Sequence, residues 1–134
     1  EKFAANYYSE LSVGVDFTAR DIQEKLKLNQ EPWEKAKAFD GSAAIGDFIR
    51  KSNFKDIQNI DFKLLVNNNI QQSGNTKNMI FSINQIISYI SKYITLKKGD
   101  LIFTGTPSGV SKINKDDILK GFIGEKKLLE IKVK

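Results

Sequence analysis

Residues 60–73 read Ile60-Asp61-Phe62-Lys63-Leu64-Leu65-Val66-Asn67-Asn68-Asn69-Ile70-Gln71-Gln72-Ser73. A run rich in aliphatic and aromatic side chains meets consecutive asparagines, and a shorter run follows. Asparagine tolerates the left-handed backbone of tight turns. The stretch therefore predicts strands at Ile60–Val66 and Ile70–Ser73 joined as a hairpin. Gly74-Asn75-Thr76 reads as the next break. Toward the C-terminus, Ile118–Ile123 and the alternating Leu128–Val133 flank Gly124-Glu125 and predict a second hairpin. Between the hairpins lies the strongest helical signal, Ile83–Ile94. Ile83, Ile86, Ile87, Ile90 and Ile94 share one face, and Ser82 stands ready as a cap. Leu96–Thr104 reads as a turn at Gly99-Asp100 leading into a buried strand. Toward the N-terminus, Ala36–Ile49 reads as loop and short strand. Thr18–Asn29 reads as a short helix capped by Thr18, and Leu11–Phe17 is β-compatible. Residues 3–10 look like a helix end. The sum is a strand-rich α+β domain with two short helices packed on it.

The chain has 134 residues and no cysteine or histidine. Disulfides, thiolate zinc sites, iron–sulfur clusters, Ser-His and Cys-His pairs and His-ligated zinc are thereby excluded. Chemistry has to run on carboxylates, lysine, arginine, hydroxyls and a hard metal. The net charge of +5 is almost entirely lysine, since the only arginines are Arg20 and Arg50. Nucleic-acid readers favour arginine forks, so the balance reads as a solvated lysine surface, with no nucleic-acid partner. No apolar run approaches the ~20 residues of a membrane span, so no membrane partner is expected. Glu1–Glu10 lacks a signal-peptide core, and the cytoplasm is the default compartment.

Three local features carry candidate chemistry. Asp16, Arg20, Asp21 and Gln23 crowd a strand-to-helix junction. They suit a metal carboxylate beside an anion-binding fork, or simply a helix start with a local ion pair. Lys37 lies among small and aromatic residues (Trp33 to Asp40). It reads as a ligand for a carboxylate or enolate oxygen, or as a snorkelling surface lysine. Thr104-Gly105-Thr106-Pro107-Ser108-Gly109-Val110 offers backbone N–H groups and hydroxyls to an anion, or is a tight turn. It lacks Walker spacing.

Taken together, these segments resemble the catalytic domain of the fumarylacetoacetate hydrolase family. The matching residues are Gly14 to Gln23 (GVDFTARDIQ), Lys37-Ala38-Phe39-Asp40, Gln72-Ser73-Gly74-Asn75-Thr76 with Met79-Ile80-Phe81, Ile87 to Ser91, and Thr95 to Val110. They stand in family order over about residues 10–133. The resemblance implies a mixed β-sheet roll with short helices packed on it, here a partial domain. It also implies action on 2-oxo acids or diacids through a metal-stabilised enolate. Hydrolysis of acylpyruvates, decarboxylation of oxaloacetate and isomerisation of hydroxymuconate-type diacids all stay open.

By the same resemblance, Asp16 is a ligand of Mg2+ (or Mn2+ or Ca2+). Lys37, Arg20 and Gln23 are the catalytic contacts, and Thr106 with Gly105 and Arg20 binds substrate. A homodimer is expected. The family's other metal ligands come from a Glu-x-Glu segment upstream, and its hydrolases use a His-Glu pair. Residues 1–15 hold Glu1 and Glu10 without that spacing. The chain is therefore expected to be a single domain over 1–134, truncated at its N-terminus. It would need further carboxylates from outside and be inactive alone. An inactive fragment or a binding or scaffold protein is the alternative.

Overall fold

The computed structural model describes residues 1–134. In chain order the elements are a 3-10 turn (Ala4–Tyr7), β1 (Glu10–Leu11), β2 (Gly14–Asp16), α1 (Arg20–Leu28), α2 (Glu34–Lys37), β3 (Ala43–Ile45) and β4 (Ile49–Arg50). A 3-10 turn (Lys51–Asn53), β5 (Asp61–Val66), β6 (Asn69–Asn75), a 3-10 turn (Thr76–Asn78), α3 (Ile83–Ile90), β7 (Ile118–Ile123) and β8 (Lys126–Lys132) follow. The strand-rich α+β class stands. The chain divides into two compact units, Gly14–Ile45 and the remainder, Glu1–Val13 with Gly46–Lys134.

The larger unit is built on an antiparallel sheet of order β6-β5-β7-β8. Its first hairpin turns at Asn67 and Asn68, with φ of 50° and 69°. Two successive positive φ values match the right-handed twist of the flanking strands, and asparagine adopts them at low cost. Val66 and Asn69 close the turn, so Asn69 belongs to the return strand. The second hairpin joins β7 to β8 around Gly124-Glu125, with Ile123 opposite Lys126. Leu119 in β7 is completely buried, and Ile49, Ile60, Ile123 and Leu128 form a core cluster. A second cluster packs Ile83 and Ile87 of α3 on Ala4. Each such side chain contributes about 1.5–3 kcal/mol through burial. β1 and β4 pair separately, Leu11 opposite Ile49.

Four expectations are corrected. The helix predicted over Thr18–Asn29 starts at Arg20, and its N-cap is Ala19, which has no side chain able to cap; the Thr18 hydroxyl lies one residue before it and accepts from Lys37. The α3 helix stops at Ile90 rather than Ile94. There the Ser91 hydroxyl donates to the Ser88 carbonyl, and Tyr93 N–H shortens its reach to the Ile90 carbonyl. Such back-bonding competes with the helical ladder, and Ile94, 61% exposed, gains no burial by continuing it. Leu101–Thr104 forms no strand. Only Ile102 reaches the core, while Leu101 and Phe103 stay half exposed, and no neighbouring strand takes up the backbone. Gly74-Asn75 is not a break, since Gly74 pairs with Phe62 and Asn75 with Asp61 within β6.

Candidate functional site

In the unit Gly14–Ile45, β2 runs antiparallel to β3, with Asp16 opposite Ala43. Phe17 N–H donates to the Ser42 carbonyl at 2.7 Å, which carries the pairing one residue further. The chain then turns into α1, and Ala19 N–H donates to the Ala36 carbonyl at 3.1 Å. That bond ties the exit of β2 to α2, whose last residue is Lys37. Ala36 is completely buried and lets the two segments approach.

The result is a three-group cluster. Lys37 Nζ donates to Asp16 Oδ2 at 2.8 Å and to Thr18 Oγ1 at 2.7 Å. The Lys37 side chain is 36% exposed and that of Asp16 is 51% exposed, so the ion pair faces solvent on one side. A pair this open adds at most about 1 kcal/mol to stability. Its consequence is positional: the ammonium is fixed beside a carboxylate and is open to a ligand. One turn away, Arg20 Nη1 donates to Gln23 Oε1 at 2.6 Å. Gln23 is the buried polar residue of the chain, at 4% exposure. Arg20 is exposed at the start of α1. Of the residues named singly from the sequence, Asp16 thus meets Lys37 and Arg20 meets Gln23 within this unit.

Gly105 and Thr106 belong to the larger unit. Thr106 is exposed, on a loop whose preceding residue, Gly105, has φ 105°. Its Oγ1 accepts from Gln72 Nε2 of β6 at 2.8 Å, and the same nitrogen donates to the Pro107 carbonyl at 2.9 Å. Gln71 Nε2 donates to the Gly109 carbonyl at 2.8 Å. Thr18 in the smaller unit and Gln72 in the larger were not named as site residues from the sequence. Asp16 and Thr18 are two apart at a strand end, and period-two spacing places such side chains on one face. That was the available signal for Thr18.

The donor chemistry suits a hard cation in part. Asp16 is an oxygen ligand of the type Mg2+ and Mn2+ prefer, with no sulfur or imidazole competing. No group of three or more acidic, cysteine or histidine side chains gathers anywhere in the chain. Asp16 therefore offers one oxygen donor of that kind, and no further acidic group gathers beside it to make a three-carboxylate set. No helix is long and apolar enough to cross a membrane.

The family model described as "Fumarylacetoacetate (FAA) hydrolase C-terminal" matches residues 2–131. A mitochondrial oxaloacetate tautomerase of Mus musculus is 42% identical over 134 residues, all of this chain and 61% of the mouse protein. An oxaloacetate tautomerase of Escherichia coli K12 is 46% identical over 108 residues, 80% of this chain and 49% of that protein. Among solved structures, a fumarylpyruvate hydrolase from Pseudomonas aeruginosa in complex with Mn2+ and pyruvate matches with a TM-score of 0.90 at 33% identity. It covers 98% of this chain and 57% of that one. The chain spans at most about 61% of the length of these relatives. Matched by the family model over nearly every residue, the chain belongs to the fumarylacetoacetate hydrolase C-terminal family.

Proposed function

We propose that the protein acts on 2-oxo acids, with oxaloacetate as the first substrate to test and keto–enol tautomerisation as the reaction. The observation that carries the reading is the Lys37 ammonium, held at 2.8 Å from Asp16 and 2.7 Å from Thr18 yet open to solvent. Fixed positive charge beside a forming enolate oxygen stabilises it without reorganisation. Arg20, anchored on Gln23, adds a guanidinium able to grip a carboxylate or the same oxyanion. Thr106, with Gly105, holds the substrate's distal carboxylate. Hydrolysis needs in addition a base that activates water. This cluster offers a lysine, an arginine and a ligand carboxylate rather than such a base. Tautomerisation in turn needs a group that takes the C3 proton, again from outside this cluster, so the choice of reaction rests on the names of the mouse and E. coli relatives.

Asp16 contributes one ligand to a divalent metal, Mg2+ or Mn2+, with further carboxylates from outside these residues. When bound, the metal supplies Lewis-acid polarisation of the keto oxygen. The Mn2+ and pyruvate of the Pseudomonas relative support that assignment. A homodimer in the cytoplasm completes the reading, with the mitochondrial mouse relative making that compartment the competing one. Residues 1–134 belong to a single catalytic domain.

The test is the ultraviolet absorbance of enol-oxaloacetate followed with the intact protein, with and without Mg2+. Turnover is expected to depend on the metal and to fall at least about 100-fold in Asp16→Ala, consistent with loss of a charge-stabilising ligand. The 134-residue chain alone is expected to show little turnover and weak metal binding by calorimetry. Full activity of Asp16→Ala removes the metal assignment. Metal-independent inactivity of the intact wild type leaves a binding or scaffold protein.

A further inference from the structure

From the donor and acceptor pattern around Thr106 we infer that Gln72 is a positioning residue. It fixes the direction of the Thr106 hydroxyl proton and thereby makes that hydroxyl a donor to the substrate's distal carboxylate. The inference rests on the reading of Thr106 as the carboxylate contact.

A carbonyl oxygen only accepts hydrogen bonds, so the Pro107 carbonyl at 2.9 Å has to face the amide nitrogen of Gln72 and not its oxygen. That settles which way the amide points. The nitrogen carries two protons, and the second is directed at Thr106 Oγ1, 2.8 Å away. Thr106 is thus the acceptor in its bond with Gln72. A hydroxyl has a single proton, and that of Thr106 is left to donate outward from an exposed loop. An anionic oxygen is the acceptor that profits most, because hydrogen bonds to a charged group are about twice as strong as neutral ones.

The surroundings hold Gln72 in this role. It lies partly buried in the seven-residue strand β6, opposite Leu64 of β5. The neighbouring Gln71 holds the far side of the loop through the Gly109 carbonyl. Gly74, on the same strand, has no side chain, and a Cβ there would lie 3.1 Å from Pro107 Cβ. The Pro107 ring therefore sits directly over the strand where Gly74 carries no side chain.

The test compares Gln72→Glu, Gln72→Met and Thr106→Val in the intact protein. Gln72→Glu nearly preserves shape but replaces the donor nitrogen with an acceptor oxygen, which draws the Thr106 proton inward. The KM for oxaloacetate is expected to rise about 10- to 100-fold, more than kcat falls, as for one lost charge-assisted hydrogen bond. Pyruvate, which lacks the distal carboxylate, is expected to inhibit with an unchanged constant. In a Thr106→Val background, Gln72→Glu is expected to change KM less than about 2-fold, because the two residues act as one unit.

Gln72→Met, which removes both donors without adding charge, gives the same pattern and covers the case of a misfolded glutamate variant. If Thr106→Val raises KM but the Gln72 variants do not, or add their full factor on top of it, the role of Gln72 is overturned alone. Equal weakening of pyruvate and oxaloacetate by the Gln72 variants also overturns it, since that indicates general loop damage. A wild-type KM in Thr106→Val overturns the carboxylate reading of Thr106, and the inference falls with it.

Discussion

Lys37 and Thr18 are joined by a 2.7 Å hydrogen bond that spans 19 positions of sequence, two residues before the helix after β2 begins. The hydroxyl that local spacing would assign as a helix cap instead receives the ammonium proton of Lys37. The N–H groups of the first turn of α1 go without a side-chain cap. A cap is worth about 1 kcal/mol, and the Thr18 hydroxyl fixes an ammonium instead.

Thr18→Val removes the acceptor while keeping the shape. Lys37 then retains only Asp16, and its side chain regains freedom. Turnover of oxaloacetate by the intact protein is expected to fall about 10-fold or more, with Thr18→Ser close to wild type, as befits one lost hydrogen bond to a charged group. The melting temperature is expected to move by no more than a few degrees, since the cluster is half exposed. Steady-state kinetics beside a thermal melt checks both. Equal activity of the valine and serine variants removes the anchoring role.

Gly109→Ala tests the seat of the Thr106 loop. Gly109 has φ 100°, and a Cβ there would collide with the Gln71 carbonyl oxygen of β6. A left-handed backbone that no other residue adopts easily adds to the clash, so the loop has to lift from the strand. A destabilisation of about 1–3 kcal/mol by urea unfolding is expected, together with a raised KM for oxaloacetate. A wild-type midpoint and KM would show that the loop seats elsewhere.

Ser82→Ala removes a complete capping box. Ser82 Oγ accepts from Gln85 N–H at 3.2 Å, and Gln85 Oε1 accepts from Ser82 N–H at 2.8 Å. The variant is expected to lose about 1 kcal/mol, seen as an earlier urea midpoint with an unchanged slope. An unchanged midpoint would mean that α3 is held by Ile83 and Ile87 alone.

Asp117 predicts a pH response of stability. The Asn114 backbone N–H, with help from the Asn67 side chain, holds its carboxyl below the usual carboxylate value. A depressed folded-state pKa stabilises the protein above the unfolded value, and that contribution is lost as pH falls through the lower folded value. The melting-temperature gap between wild type and Asp117→Ala is therefore expected to be full near neutrality. It should shrink below about pH 4. A gap that stays constant into acid would remove the ionised carboxylate from the account.

The legible parts of the fold were those decided by neighbours in sequence. Asn67 and Asn68 announce their own turn, and Ser82 with Gln85 announces the start of α3. The illegible parts depended on distant partners. Leu101–Thr104 has the composition of a strand but no neighbour to pair with, and composition carries no information about neighbours. The hydroxyl of Thr18 looks like a cap until Lys37 arrives from another helix. For the site, Asp16, Lys37, Arg20 and Gln23 were named from the resemblance, and they meet in pairs within one unit. Gln72 was quoted within a matching segment, but its link to Thr106 joins β6 to a loop 34 positions later.

The order β6-β5-β7-β8 has a kinetic side. Each hairpin closes locally, within microseconds for elements of this kind. Joining them through Val66 and Leu119 means closing the long stretch that carries α3 and the Thr106 loop, at roughly 3–4 kcal/mol of chain entropy. The two hairpins are thus expected to form early and the β5–β7 seam late. Until that seam closes, Leu119 and Ile123 face water, and the chain is most exposed to aggregation at this stage. Substitutions along β7 that weaken the late seam should therefore be felt first as faster unfolding.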